Sequence, residues 1–196
     1  GNPIRKNYLN NKDHQGSSND IKIYVTGGSQ GAKFINEDIP KALTELPFNL
    51  KIKHQCGMNN IEIVNKFYRS HRPNIEIVEF YNNPAEQILW SDFVISRGGA
   101  LSLSEISSMR RGALIVPLPT SIDNHQFKNA NYFKEKGYCF LIEERSVPDK
   151  LFEILVDLNK DEKKLFLMKE RMTEHSDQDT FFKIKKLIER TLNEQS

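Results

Sequence analysis

Short apolar runs alternate along this chain with longer segments of helical periodicity, and that alternation limits the fold more than any other feature. The runs lie at residues 21–26, 50–54, 75–80, 93–96, 113–116 and 138–142. They have the length of buried strands and are bounded by turn formers. Phe34, Ile35 and Ile39 mark the apolar face of a first helix, which Pro40 is expected to kink or restart near Asp38. Asn83 reads as an N-cap with Pro84 at the first helical position of a helix to Trp90. Further helices are expected over 59–69, 101–110, 124–136, 148–158, 161–172 and 180–193. A strand, a helix and a second strand in succession place both strands parallel in one sheet. The expected fold is α/β: a Rossmann-like, parallel six-stranded sheet with helices on both faces. Ligands of such sheets bind beyond the carboxyl ends of the strands, where strand order reverses.

Two glycine-rich strand-to-helix turns open on that edge: Gly27-Gly28-Ser29-Gln30-Gly31 and Gly98-Gly99. Glycine lets backbone approach a ligand closely, and the free N–H groups of a helix start attract an anion. After the second turn, Leu101, Leu103, Ile106 and Met109 are expected to face the sheet, and Glu105 the ligand. A carboxylate one turn into that helix repels phosphate but accepts hydrogen bonds from two neighbouring sugar hydroxyls. The pair of turns points to a nucleotide or nucleotide-sugar site, with diphosphate at the turn and ribose at Glu105. His125, Gln126 and Asn129 open the helix after the fifth strand, His125 and Asn129 on one face. Their neutral donors and acceptors suit sugar hydroxyls and an acetamido group.

Other classes are excluded by absence of their chemistry. The second strand ends Lys53-His54-Gln55-Cys56, without the carboxylate that holds the ribose of NAD. The first turn lacks the Lys-Ser/Thr of a P-loop. A net charge of +2 over 196 residues is too balanced for a nucleic-acid binder. Cys56 and Cys139, the only 2 cysteines, form no disulfide framework or zinc spacing, and suggest a reducing compartment. His14, His54, His71 and His175 show no ligand spacing, so no metal is expected. Asp177-Gln178-Asp179 matches a metal-binding Asp-x-Asp but reads as a polar linker with a helix cap. No apolar run approaches the roughly 20 residues that span a bilayer, and no signal peptide is read. Residues 1–20 read as an interdomain lead-in and 21–196 as one domain. The start at Gly1 reads as that of a fragment or processed chain.

Several motifs recur here in a specific order. They are Gly27-Gly28-Ser29-Gln30-Gly31-Ala32, His54-Gln55-Cys56-Gly57, Phe80-Tyr81, Arg97-Gly98-Gly99-Ala100-Leu101-Ser102 with Glu105, and His125-Gln126 with Asn129-Ala130. In that order and spacing the chain resembles the C-terminal, donor-binding half of the MurG family, over nearly its whole length. The family's enzymes are undecaprenyl-diphospho-muramoylpentapeptide N-acetylglucosaminyltransferases of bacterial cell-wall synthesis. The resemblance implies the second domain of a GT-B glycosyltransferase, UDP-N-acetylglucosamine (UDP-GlcNAc) as donor and lipid I as acceptor. Within it, Arg5 and Ser29 are expected at the diphosphate and the Tyr81 backbone at the uracil edge. Leu101 and Ser102 are expected at a phosphate, Glu105 at the ribose, His125, Gln126 and Asn129 around the sugar, and Gln30 and Ala100 among the residues that bind the donor. The reaction is expected to need no metal or other cofactor. The catalytic base, the lipid I site and the membrane contact are expected on an N-terminal half outside this chain. The intact enzyme would then be cytoplasmic and peripheral on the inner face of the plasma membrane, serving peptidoglycan synthesis and through it cell shape and division.

The sequence departs from the family pattern twice. Gly98 stands where Ser is expected, and Arg110-Arg111-Gly112-Ala113 where Ala-Gly-x-Pro is usual. The first is expected to remove a hydroxyl contact, the second to be neutral. Two other readings stay open: a separate subunit of a two-chain UDP-GlcNAc transferase, and a non-enzymatic nucleotide-binding module.

Overall fold

The computed structural model describes residues 20–68, 74–121, 124–161 and 163–173. Arg5, nearly all of the lead-in, Asp177-Gln178-Asp179 and the expected helix 180–193 lie outside these residues. So do His14, His71 and His175.

Six strands form one parallel sheet: β1 (Ile21–Thr26), β2 (Leu50–Gln55), β3 (Ile75–Val78), β4 (Phe93–Ser96), β5 (Gly112–Ile115) and β6 (Cys139–Leu141). Their order is β3-β2-β1-β4-β5-β6, so the order reverses between β1 and β4. The helices are α1 (Lys33–Thr44), α2 (Ile61–Phe67), α3 (Pro84–Trp90), α4 (Ala100–Ser108), α5 (His125–Glu135), α6 (Asp149–Lys160) and α7 (Lys163–Thr173). None among the described residues is long and apolar enough to cross a membrane.

Successive strand residues face opposite sides of a sheet, and the core divides accordingly. Ile23, Val25, Ile52, Ile95 and Leu114 pack with Ile35, Ile39 and Leu43 of α1 and with Leu151, Leu155 and Leu158 of α6. Tyr24, Val94, Ala113 and Ile115 pack on the other side with Ile88 of α3, Leu103 and Ile106 of α4, and Ala130 of α5. Both sides being covered explains why the strands read as continuous apolar runs.

Three expectations change. First, α1 continues through Pro40, which is buried. Proline there removes one helical hydrogen bond, but the buried residues on both sides, Ile35 and Ile39 before it and Ala42 and Leu43 after it, hold the helix to the sheet. Second, Leu101 does not share the face of Leu103, Ile106 and Met109; it is 45% exposed while those three are buried. At about 100° per residue, positions 101 and 103 point in nearly opposite directions. Third, Asn83 stands at the N-cap of α3 without a side-chain cap bond; its amide donates to Glu86 Oε1 at 2.8 Å.

Candidate functional site

A cavity of about 630 Å³ lies over the carboxyl ends of β1 and β4, at the reversal of strand order. Its lining includes Gly27, Gly28, Gly31, Ala32 and Lys33 from the first turn, and Ser96, Arg97, Gly99 and Ser102 from the second. Glycine is required at Gly31 on two counts. Its φ is +73°, and a Cβ there would sit 2.1 Å from the Cys56 carbonyl oxygen. The turn is closed by Gly31 N–H donating to Gly28 O at 3.2 Å and Gly28 N–H to Thr26 Oγ1 at 3.1 Å.

Both helices that leave these turns begin without a side-chain cap, α1 after Ala32 and α4 after Gly99. Their first-turn N–H groups and the positive ends of their dipoles are thus left open to an anion in the cavity. Lys33 adds an exposed cation at the rim. Arg97 is more constrained. Its Nη1 donates to Val116 O at 3.1 Å and Pro117 O at 3.3 Å, and it pairs with Glu144 at 2.7 Å. The Phe34 ring lies 5.7 Å from its guanidinium carbon. Neither Arg97 nor Glu144 stands out from sequence as a pair, because one follows β4 and the other follows β6.

Of the residues expected at the ligand, Ser102 and Gln126 line the cavity. Ser29, Gln30 and Ala100 are exposed beside it on the two turns, and Leu101 and His125 are exposed at the starts of α4 and α5. Asn129 is half-buried one turn further along α5. Gln126 has a defined role within the chain itself. Its Oε1 accepts from Gly98 N–H at 3.2 Å and from Leu118 N–H at 3.0 Å, joining the second turn to the loop after β5. Gly98 is the residue expected to be Ser. A Cβ there would meet the Gln126 carbonyl oxygen at 2.4 Å, so this backbone has room for glycine only.

Tyr24 of β1, Gln55 at the end of β2 and Tyr81 after β3 meet through the Gln55 amide, and Glu105 of α4 lies close enough to act on Tyr24. Glu105 is 8% exposed, more buried than a freely solvated ligand group. Burial pushes the Tyr24 hydroxyl up to about 12, with the negative charge of Glu105 adding to the rise. Tyr24 and Tyr81 stack edge to face, with ring centroids 6.0 Å apart. The Tyr81 N–H donates to Gln55 Oε1 at 3.2 Å, and its hydroxyl to Glu76 Oε1 at 2.8 Å. Burial and that carboxylate raise the Tyr81 hydroxyl above its ordinary range.

Behind the first turn, His54 is fully buried between Tyr68 Oη at 2.9 Å and Asn36 Oδ1 at 3.1 Å. Asn36 Nδ2 in turn donates to Cys56 O at 2.8 Å, the carbonyl that crowds Gly31. Desolvation pushes His54 down to about 3 and keeps it neutral. Cys56 is buried, its thiol donating to Val78 O at 3.2 Å, and burial raises its pKa. It is a packed residue rather than a nucleophile. Among the described residues no three His, Cys, Asp or Glu side chains gather as a metal site.

Comparison with known proteins places this geometry in a family. The glycosyltransferase family 28 C-terminal domain matches residues 22–188. The UDP-N-acetylglucosamine--N-acetylmuramyl-(pentapeptide) pyrophosphoryl-undecaprenol N-acetylglucosamine transferase of Marinobacter nauticus is 34% identical, over 86% of this chain and 48% of its own length. The protein of the same name from Francisella tularensis is 36% identical, over 96% of this chain and 54% of its own. The chain thus spans about half the length of these curated relatives. The crystal structure of Acinetobacter baumannii MurG superposes with a TM-score of 0.78 at 28% identity, over 91% of this chain and 55% of that one. The glycosyltransferase VinC, solved with dTDP, is similar in fold alone, with a TM-score of 0.63 and 16% identity, over 96% of this chain and 45% of that one. With a match over residues 22–188 and the reversal of strand order under a two-turn cavity, the chain belongs to the glycosyltransferase family 28 C-terminal domain family.

Proposed function

We propose that this chain is the donor-binding half of an inverting glycosyltransferase that moves N-acetylglucosamine from UDP-GlcNAc to lipid I. The product would be the β-1,4-linked lipid II of peptidoglycan synthesis. The observation that carries the reading is the cavity at the β1–β4 reversal, flanked by two helices that start without side-chain caps. A diphosphate fits between those helix starts. Glu105 then takes the ribose hydroxyls, the segment at Tyr81 the base, and His125, Gln126 and Asn129 the sugar. The names of the curated relatives support this donor and acceptor.

In this reading the bond from the sugar C1 to the diphosphate oxygen breaks as the acceptor 4-hydroxyl attacks the opposite face. The hydroxyl proton passes to a base on the other half of the enzyme, and negative charge grows on UDP. The helix starts of α1 and α4 stabilise that charge where it develops, and Arg5 is assigned to the same diphosphate. Residues 1–20 are the link to an N-terminal domain that carries the base, the lipid I site and the membrane contact. The intact enzyme would work at the inner face of the plasma membrane, and this half alone would not turn over.

The test is a thermal-shift and calorimetric panel of UDP, UDP-GlcNAc, UDP-N-acetylgalactosamine, ADP and NAD. UDP and UDP-GlcNAc at 100 times their dissociation constants are expected to stabilise the chain by about 2.7 kcal/mol. A response to NAD with none to UDP overturns the reading.

A further inference from the structure

Gln55 is the last residue of β2, paired in register with Thr26 of β1 on one side and Val78 of β3 on the other. It is buried, and its amide reaches three groups. Its Oε1 accepts from Tyr81 N–H at 3.2 Å and from the Tyr24 hydroxyl at 3.3 Å, while Nε2 donates to Gly28 O at 3.3 Å. An amide accepts and donates at once, whereas a carboxylate of the same length accepts only and a thioether does neither in strength. Gly28 has φ +87° and nothing within 4 Å of where its Cβ would be, so hydrogen bonds rather than packing fix it; those to Gly31 and Thr26 lie within the turn, and the one from Gln55 ties it to β2. Tyr81 is held a second time by its hydroxyl, which donates to Glu76 of β3.

We propose that Gln55 is a positioning residue that ties the first glycine turn to the Tyr81 segment, so that the diphosphate and base ends of the nucleotide site are held in one fixed register. The proposal rests on the UDP-sugar reading above and adds to it a residue that touches no ligand. Through its oxygen Gln55 sets the base end, and through its nitrogen the diphosphate end. The two ends can therefore be disturbed separately.

The experiment titrates wild type, Gln55→Met and Gln55→Glu with UDP, ADP and inorganic pyrophosphate by calorimetry, with a melting curve for each variant. Wild type is expected to bind UDP more tightly than ADP. Gln55→Met is expected to weaken UDP about tenfold, the scale of one or two lost hydrogen bonds, and to shrink the preference for UDP over ADP by a similar factor. Gln55→Glu keeps the oxygen facing Tyr81 and loses the donor to Gly28. It is expected to weaken UDP and pyrophosphate alike while keeping the preference for UDP. An unchanged preference in a folded Gln55→Met overturns the proposal, because a mere structural brace weakens every ligand equally. Should Gln55→Met not fold, unchanged pyrophosphate affinity in Gln55→Glu overturns it. Wild type that binds neither UDP nor pyrophosphate is a different result: it removes the donor-site reading itself.

Discussion

The side-chain oxygen of Gln126 accepts a hydrogen bond from the Gly98 backbone N–H at 3.2 Å, and the Gln126 backbone lies where a Gly98 side chain would have to go. The start of α5 is thus pressed against the turn that opens α4. Gly98→Ala is expected to force the two apart, because a Cβ would sit 2.4 Å from a backbone oxygen that cannot rotate away. The cost is expected at about 1–3 kcal/mol of stability, read by urea unfolding. UDP affinity is expected to fall with it. A variant as stable as wild type would mean that α5 yields at this contact.

Glu105 is buried on α4 with an acid's negative charge close enough to raise the Tyr24 hydroxyl. Under the proposed function its oxygens take two ribose hydroxyls. Glu105→Ala is expected to weaken UDP binding by about a hundredfold, the scale of two hydrogen bonds to a charged group. The far-ultraviolet circular dichroism spectrum should not change. Calorimetry that finds the UDP affinity intact removes Glu105 from the site.

His54 makes stability depend on acid. Its pKa in the fold is about 3 against the usual 6.5, so the folded chain favours the neutral ring. Above pH 6.5 both folded and unfolded states hold it neutral and the full stability is present. As pH falls below 6.5 the unfolded chain takes up a proton that the folded chain refuses. Stability then declines by up to about 1.4 kcal/mol per pH unit toward the folded pKa. Unfolding curves between pH 7 and pH 4 on wild type and His54→Gln check this. The variant should be less stable at pH 7 and should lose stability less steeply in acid.

Arg110 follows the Met109 C-cap of α4 with φ +52°, in the left-handed region. An L-residue pays about 1–2 kcal/mol there and glycine almost nothing. The sequence departure at Arg110-Arg111 thus carries backbone strain. Arg110→Gly is expected to stabilise the chain by about 0.5–1 kcal/mol after the added freedom of the unfolded chain is subtracted. A differential scanning trace with a lowered midpoint would show that contacts of the Arg110 side chain outweigh the strain.

The period of the apolar residues and the glycine turns between them determined the element order, the parallel sheet and the edge on which the cavity opens. These are local properties: a buried strand and an amphipathic helix announce themselves through spacing. The glycines at 27, 28 and 31 could be read because a left-handed or crowded backbone position restricts residue type. Tertiary structure alone decided the rest. Nothing near residue 97 in sequence announces Glu144, since the two meet only when β4 and β6 lie in the same sheet. Gln55 and Gln126 read as single polar residues, yet each bridges turns brought together by strand order. Gly98, read in sequence only as a missing hydroxyl, also marks a close approach between two helix starts. Side-chain hydrogen bonds between distant segments leave no period in the sequence, and so their partners become visible only once the chain has folded.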